Sequence, residues 1–298
     1  MLGASVLVWA LLPLAPGDVA ERVLQSRGAI DPTPAEIAAV RAELKLDRPL
    51  AAQYVEWLAK AARGDFSDSF RTRRPVAGEI ARRLPATLLL GAVALSLAIA
   101  LSLALSLASV YFADRAPDRI IRLLTQAGAS IPAFLLGLLV LQFVVVGFGF
   151  GRVISSSSPA DVLLPAITLA TARAVDWTQI LRAELLEKMS APYSFVALAR
   201  GATRWRVLWR YALPNAFLPF LTVVGVGVGS LLGGAAIVET VFSWNGVGSY
   251  AVEAVAARDL PAVQAFVMFA TGLYVAANFL VDAAGAVVDP RLREMRDG

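Results

Sequence analysis

The stretch PATLLLGAVALSLAIALSLALSLASVYF, Pro85 to Phe112, contains no Asp, Glu, Lys or Arg. A helix needs about 20 mostly apolar residues to cross about 30 Å of hydrocarbon, so this run is long enough to span a bilayer. Three more uncharged runs follow, Leu123 to Gly151, Ala212 to Val238 and Leu260 to Val281. A fifth candidate covers 162–182 but carries Arg173 and Asp176 inside it. The whole chain agrees with these runs: 58% of its 298 residues are hydrophobic and 17% charged, and the mean hydropathy is +0.66, more apolar surface than one soluble core hides. The expected fold is an all-α integral membrane protein with six transmembrane helices.

The first of the six is the short one. Leu2 to Leu14 is apolar and is closed by Pro13 and Pro16. A secretory signal is also short and apolar, with Ala20 a suitable small residue before a cleavage point, but it opens on basic residues, and here the first is Arg22. The stretch, 1–15, is expected to be the end of a first membrane helix truncated at its start; a cleaved signal is the alternative.

The sequence has no Cys and no His, which removes disulfides, thiol nucleophiles, His bases and Cys/His metal sites together. No metal site and no catalytic residue is expected. The only lysines are Lys45, Lys60 and Lys188, and none follows a glycine as a phosphate-cradling Walker A loop requires. The chain therefore does not hydrolyse ATP by itself.

With six spans, three connections share one side. They hold Arg115, Arg119 and Arg122; then Arg182, Lys188, Arg200, Arg204, Arg206 and Arg210; then Arg291, Arg293 and Arg296. The short connections opposite hold only Arg152 and Arg258. The positive-inside rule puts the Arg-rich side in the cytoplasm, with both termini. Anionic lipid and topology account for the net charge of +4 without nucleic acid. The segment 16–84 is then placed outside despite its twelve basic residues, because long loops are exempt from the charge rule. Thr33, Pro34 and Glu36 form a capping box with proline at the first helical position, predicting a helix to about Leu44. A second helix is expected from Pro49, with Leu50, Tyr54, Leu58 and Ala61 on one face and Gly64 as its stop. A third, short one runs from Pro75 into Leu84. The charges of this small external cap read as a solvated face or as a docking surface. The Gly- and Ser-rich loop 148–160, with Ser155 to Ser158, reads as a flexible external turn.

The largest cytoplasmic connection, 183–213, is helical by pattern. It breaks at Pro192, turns at Gly201 and ends at Leu213-Pro214, which predicts helix, turn, helix with Arg on both arms. Basic loops of this kind mostly determine topology; docking of a partner is the sharper reading. The run Tyr193-Ser-Phe-Val-Ala-Leu-Ala-Arg-Gly-Ala-Thr resembles the cytoplasmic "EAA" loop of ABC importer permeases, in which a glycine precedes the proline of a Leu-Pro pair by thirteen residues, as Gly201 precedes Pro214. Of the three name-giving positions, Phe195, Val196 and Ala197, only the last matches. The peptide-transporter branch shares this departure, and Tyr193, Ala197, Ala199, Arg200 and Gly201 fit its pattern. Further motifs recur in order: Leu14-Ala-Pro-Gly-Asp18, Leu46-Asp-Arg-Pro49, Leu84-Pro-Ala-Thr87, the stretch Ser230 to Gly248, and Asp289-Pro-Arg-Leu-Arg293. The chain resembles the B-type, or first, permease subunit of the dipeptide, oligopeptide and nickel importer family.

That resemblance implies a type I ABC importer permease fold in a bacterial inner membrane, with a helical periplasmic segment over 16–84 and a core permease domain over 85–298, its spans near 85–112, 122–150, 162–182, 214–238 and 260–283. It implies a second permease subunit, usually a different chain, two ATPase subunits that use ATP and Mg, and an external substrate-binding protein. The ATPase-coupling loop would comprise Tyr193, Ala197, Ala199, Arg200, Gly201, Arg204, Leu213 and Pro214, its small residues seated in a cleft on the ATPase and Arg200 and Arg204 adding contacts at the rim.

Candidate pathway residues are fewer. Gly225, Gly229 and Gly233, at spacing four with Gly227 and Gly234 nearby, allow close helix approach; packing and a pathway wall are both open readings. Arg173 and Asp176 sit three apart on one helical face, and charge within a span usually faces a bundle interior or a wet cavity. They form either a self-satisfied pair or a pathway lining that tunes the route for a charged or zwitterionic solute. Glu239 and Trp244 could shape an external gate, although such a Trp is more often an interfacial anchor.

Two other function classes compete. A self-sufficient secondary transporter would need coupling groups within the membrane, for which only Arg173, Asp176, Asn278 and Asp282 could serve; an intramembrane enzyme lacks His and Cys. For the solute, short peptides are the first expectation. Nickel chelates, opines and glutathione stay open, and a naked transition metal is disfavoured without His or Cys ligands.

Overall fold

A computed structural model of the chain describes residues 2–14, 18–26, 28–149 and 157–288. The centre of the Leu14 to Asp18 motif, Arg152, Ser155, Ser156, and everything from Asp289 on, including Arg291, Arg293 and Arg296, lie outside the described residues. In chain order the helices are α1 (Leu2–Leu14), α2 (Val19–Ser26), α3 (Pro34–Glu43), α4 (Leu50–Ala61), α5 (Val76–Tyr111), α6 (Ala116–Ala129), α7 (Ala133–Val140, continued by a π-helical turn Leu141–Gly147), α8 (Leu163–Met189), α9 (Pro192–Ala199), α10 (Arg204–Val207, continued by a π-helical turn Leu208–Ala212), α11 (Leu213–Val241), α12 (Val247–Ala256) and α13 (Leu260–Val288). Extended pairing among the described residues is limited to an isolated bridge between Asp68 and Pro75.

Among the described residues, three continuous helical stretches are long and apolar enough to cross a bilayer: Val76–Tyr111, Arg204–Val241 and Leu260–Leu280. A fourth results if α6 and α7 count as one broken span. Six were expected, and the difference has identifiable causes. Helix α1 has 13 residues, short of a span, and α8 is long enough at 27 residues but carries Arg173, Asp176, Arg182, Glu184, Glu187 and Lys188.

Three local expectations are corrected. The uncharged run from Leu123 is not one helix: α6 ends at Ala129 and the helices on either side of the break are bent by 110°. Pro132, at φ −58 and ψ 139, disfavours the α conformation for Ile131 before it. Leu213-Pro214 does not end a helix, because the chain is helical from Arg204 to Val241. The π-helical turn over Leu208–Ala212 precedes Pro214, and a proline that has no N–H to donate is tolerated beside such a bulge. The short helix expected over 75–84 is the first part of the 36-residue α5, with Pro85 inside it.

The chain divides into two compact units, one of 1–85 with 246–273, the other of 86–245 with 274–298. In the first, Thr33 accepts from the Glu36 amide at 3.4 Å while Glu36 Oε2 accepts from the Thr33 amide at 2.8 Å, the capping box that the sequence predicts for α3. Val76 and Ile80 pack with Val247, Tyr250, Ala254, Ala262 and Ala265, and Asp259 accepts from the Ser69 hydroxyl and from the Phe70 amide at 3.0 Å. In the second unit the core is the seam of α5, α8 and α11. Leu90, Ala94 and Ala98, then Ala166, Ala170, Ala174, Trp177, Leu181 and Leu185, recur at helical spacing and are buried with Phe220, Leu231 and Val238. The many alanines let these helices approach closely, the packing mode that works where lipid gives no hydrophobic drive between helices.

Candidate functional site

Helix α9 follows α8 after a break at Ser190 and Ala191, where Pro192 supplies a preset first turn and the Ser194 hydroxyl donates to Lys188 O at 2.8 Å. It ends in a paired cap: the Ala202 amide donates to Ala197 O at 3.0 Å and the Gly201 amide to Leu198 O at 2.9 Å. This arrangement requires a left-handed residue, and Gly201 has φ +86. Thr203 then caps α10, accepting from the Arg206 amide at 3.3 Å. Ala197 and Ser194 are buried, while Tyr193, Phe195 and Val196 are exposed, Phe195 at 72%. The short helix thus turns its small residues inward and a row of large apolar ones outward. Ala199, Arg200 and Gly201 are exposed at its end.

Of the coupling-loop residues read from the sequence, Arg204 is tied to its own chain: Nη2 donates to Val110 O at 3.0 Å, a cation at the C-terminal carbonyls of α5. Beside it Trp205 meets Tyr111 edge-on at 5.6 Å and stacks on Trp209 at 5.8 Å. Leu213 and Pro214 lie beyond the π-turn, at the start of α11.

One cluster escaped the sequence reading. Asp118, in the first turn of α6, is fully buried. It accepts from Arg182 Nε and Nη2, both at 3.1 Å, from the Ser109 hydroxyl at the end of α5, and from the Asp114 amide at 3.2 Å. Arg122 adds a charge at 3.6 Å. Together these contacts bind the end of α5 and the start of α6 to the C-terminal half of α8.

Arg173 and Asp176 on α8 form an ion pair at 3.6 Å, with their side chains 31% and 46% exposed. Arg173 Nη1 also donates to Ser230 Oγ on α11 at 3.1 Å, so the pair is an open polar island on the α8–α11 seam. The glycines divide differently from their spacing. A Cβ on Gly227 would sit 2.6 Å from Trp177 and one on Gly234 3.1 Å from Leu169, both on α8; one on Gly229 would sit 2.4 Å from Tyr274, whereas Gly233 faces open space. Gly225 is buried. Glu239 is fully buried and accepts from the Thr87 hydroxyl at 2.8 Å. Trp244 is buried as well, its Nε1 donating to Ala86 O at 3.0 Å, so interfacial anchoring does not describe it.

Bilayer-length apolar helices with a capped helix-turn-helix joined to their ends define a helical membrane protein. The family described as binding-protein-dependent transport system inner membrane component matches residues 97–294, two thirds of the sequence, and the chain belongs to it. It is similar to the glutathione transport system permease protein GsiC of Salmonella choleraesuis (strain SC-B67), 34% identical over 293 residues, covering 98% of this chain and 94% of the relative. GsiC of Escherichia coli (strain K12) is 34% identical over 289 residues, covering 97% and 93%. Two solved structures share the fold. One is an inward-facing MetNI methionine ABC transporter, TM-score 0.60 at 16% identity over 70% of this chain and 96% of that one. The other is an amino acid ABC transporter with histidines, TM-score 0.57 at 17% identity over 70% and 93%. The fold is that of a type I ABC importer permease. A subunit of this family is a transporter component, not itself a catalyst, and works with ATPase and binding-protein partners.

Proposed function

We propose that the chain forms one half of a translocation pathway for a short peptide of the glutathione kind and is driven through α9 by a separate ATPase. The observation that carries this is the outward apolar row Tyr193, Phe195 and Val196 on a helix locked at both ends by Pro192 and Gly201. A rigid apolar helix end is suited to a cleft on another protein, and the glutathione permeases that match nearly the whole chain support the peptide solute. Two ATPase subunits, using ATP and Mg, and a second, different permease chain complete the importer. The membrane is the bacterial inner membrane with both termini cytoplasmic, as the Arg distribution supports. Residues 16–84 form the periplasmic segment and 85–298 the core, with α9 and α10 inside the coupling connection 183–213.

Within the pathway, Arg173 and Asp176 are the best-supported lining residues, being partly exposed and paired with each other, with Arg173 held by Ser230. Gly225 and Gly229 serve the same route by letting α11 pack closely, Gly233 by leaving open space beside it, and Glu239 by fixing the end of α11. The deciding experiment is uptake of labelled glutathione and of a dipeptide by the reconstituted importer. Phe195→Asp should abolish ATPase retention and uptake together. Arg173→Leu combined with Asp176→Tyr should depress uptake while the ATPase stays bound. Retained ATPase with Phe195→Asp, or uptake driven by an ion gradient without ATP, would overturn the reading.

A further inference from the structure

Segment 16–84 carries twelve basic residues, and one of them stands beside a feature that the transport reading leaves unused. An apolar groove of about 510 Å³ runs within the first unit between α1, α4, the start of α5 and α13, bordered by Leu2, Leu58, Ile80, Leu84, Met268 and Phe269. The one hydroxyl on its wall, that of Ser5, is already engaged by Leu2 O at 2.7 Å and by Tyr54 OH at 2.8 Å. A polar solute would find no free partner there, whereas hydrocarbon would lose nothing.

The groove also has a polarity gradient. Leu84 immediately precedes the uncharged run that begins at Pro85, and Met268 and Phe269 lie within the bilayer-length stretch Leu260–Leu280. At the other edge the chain turns at Gly64, φ +79, and Arg63 is exposed between the wall residues Ala62 and Gly64. Neighbouring cations are committed: Arg82 to Glu79 at 2.6 Å and Lys60 to Glu56 at 4.0 Å. Arg63 has no ion pair among the described residues. We propose that this groove binds an acyl chain of an anionic phospholipid, with Arg63 on its phosphate. An amphipathic molecule matches both ends of the site: the tail fills an apolar slot at the membrane boundary, and a guanidinium with free donors takes the headgroup oxygens.

The test uses the intact importer, purified in detergent, incubated with phosphatidylglycerol or phosphatidylcholine and weighed by native mass spectrometry. One phosphatidylglycerol should remain on each copy of this chain. Ala81→Trp, which fills the groove, should remove it. Arg63→Gln should weaken phosphatidylglycerol retention about tenfold, the size of one charge-assisted contact, and weaken phosphatidylcholine, whose phosphate is already offset by its own choline cation, by less. A photoreactive residue at Leu58 should cross-link to an acyl chain, which decides the matter even where Ala81→Trp fails to fold. Cross-links to protein alone, equal retention by Ala81→Trp, or no headgroup preference lost in Arg63→Gln would each overturn the site. None of these readouts depends on the solute or on the coupling loop.

Discussion

Asp118 and Arg182 are 64 residues apart and meet in a two-pronged ion pair, Nε to Oδ1 and Nη2 to Oδ2, both at 3.1 Å. The carboxylate is closed off from solvent, and the Ser109 hydroxyl and the Asp114 amide complete its shell. Because each acceptor is used, the pair holds the end of α5, the start of α6 and α8 in one geometry. Removing one partner leaves a buried charge, so Arg182→Ala should destabilise by about 3–5 kcal/mol. Replacing both, as in Asp118→Leu with Arg182→Met, should cost much less. Thermal unfolding of the purified protein reads the difference; equal losses from the single and double changes would show that the ion pair is not what holds the junction.

The α8–α11 seam depends on one glycine more than on the others. A Cβ at Gly227 would stand 2.6 Å from the ring of Trp177, which is buried and meets Phe220 edge-on at 6.3 Å. Gly227→Val should therefore cost about 1–3 kcal/mol through overpacking, and Trp177→Leu in the same chain should restore part of it. Gly233→Ala, facing open space, should fold like the parent. Melting temperatures of the three variants check the order.

These two sites differ in how far a reader of the sequence could reach them. Pro192, Gly201 and the Thr33–Glu36 box are local devices, set by residues within a few positions, and they are where spacing places them. The uncharged runs were legible as apolar, but not as straight: Pro132 breaks one, and a π-turn carries another helix through Pro214. Asp118 reads as an ordinary charge in an Arg-rich loop, because nothing nearby in sequence indicates Arg182. Glycine spacing indicated close approach without saying where, since what each glycine faces depends on Trp177, Leu169 and Tyr274 on other helices. For Trp244 the amphipathic side chain suggested an interface, while the tertiary partner Ala86 O removes it from one.

The segment around α3 and α4 should respond to acid. The Thr33 backbone amide, and then its hydroxyl, hold Glu36 below the ordinary glutamate range, and Lys45, by hydrogen bond and then by charge, does the same for Glu56. A carboxylate whose folded value is depressed adds stability at pH above its unfolded value of about 4.5, and that stability is lost as pH falls through the lower folded value. Glu36 is exposed and Glu56 partly so, and the effect is therefore small and salt-sensitive. Hydrogen exchange of residues 34–61, corrected for the intrinsic rate, should show loosening below this range while α11 stays protected. Glu36→Gln with Glu56→Gln should abolish the pH dependence.

Gly201 closes α9 at φ +86, and a Cβ there would meet nothing within 4 Å. Space is therefore not what demands glycine; the left-handed backbone is. An L-residue in that conformation costs about 1–2 kcal/mol, enough to unwind the cap formed by the Ala202 and Gly201 amides but too little to unfold the membrane helices. Asn tolerates this conformation better than a branched side chain does. Gly201→Val should thus reduce solute carried per ATP hydrolysed much more than Gly201→Asn, with both proteins melting near the parent temperature. If the two variants transport equally, the paired cap does not set the working geometry of α9, and the apolar row on that helix reaches its partner by some other constraint.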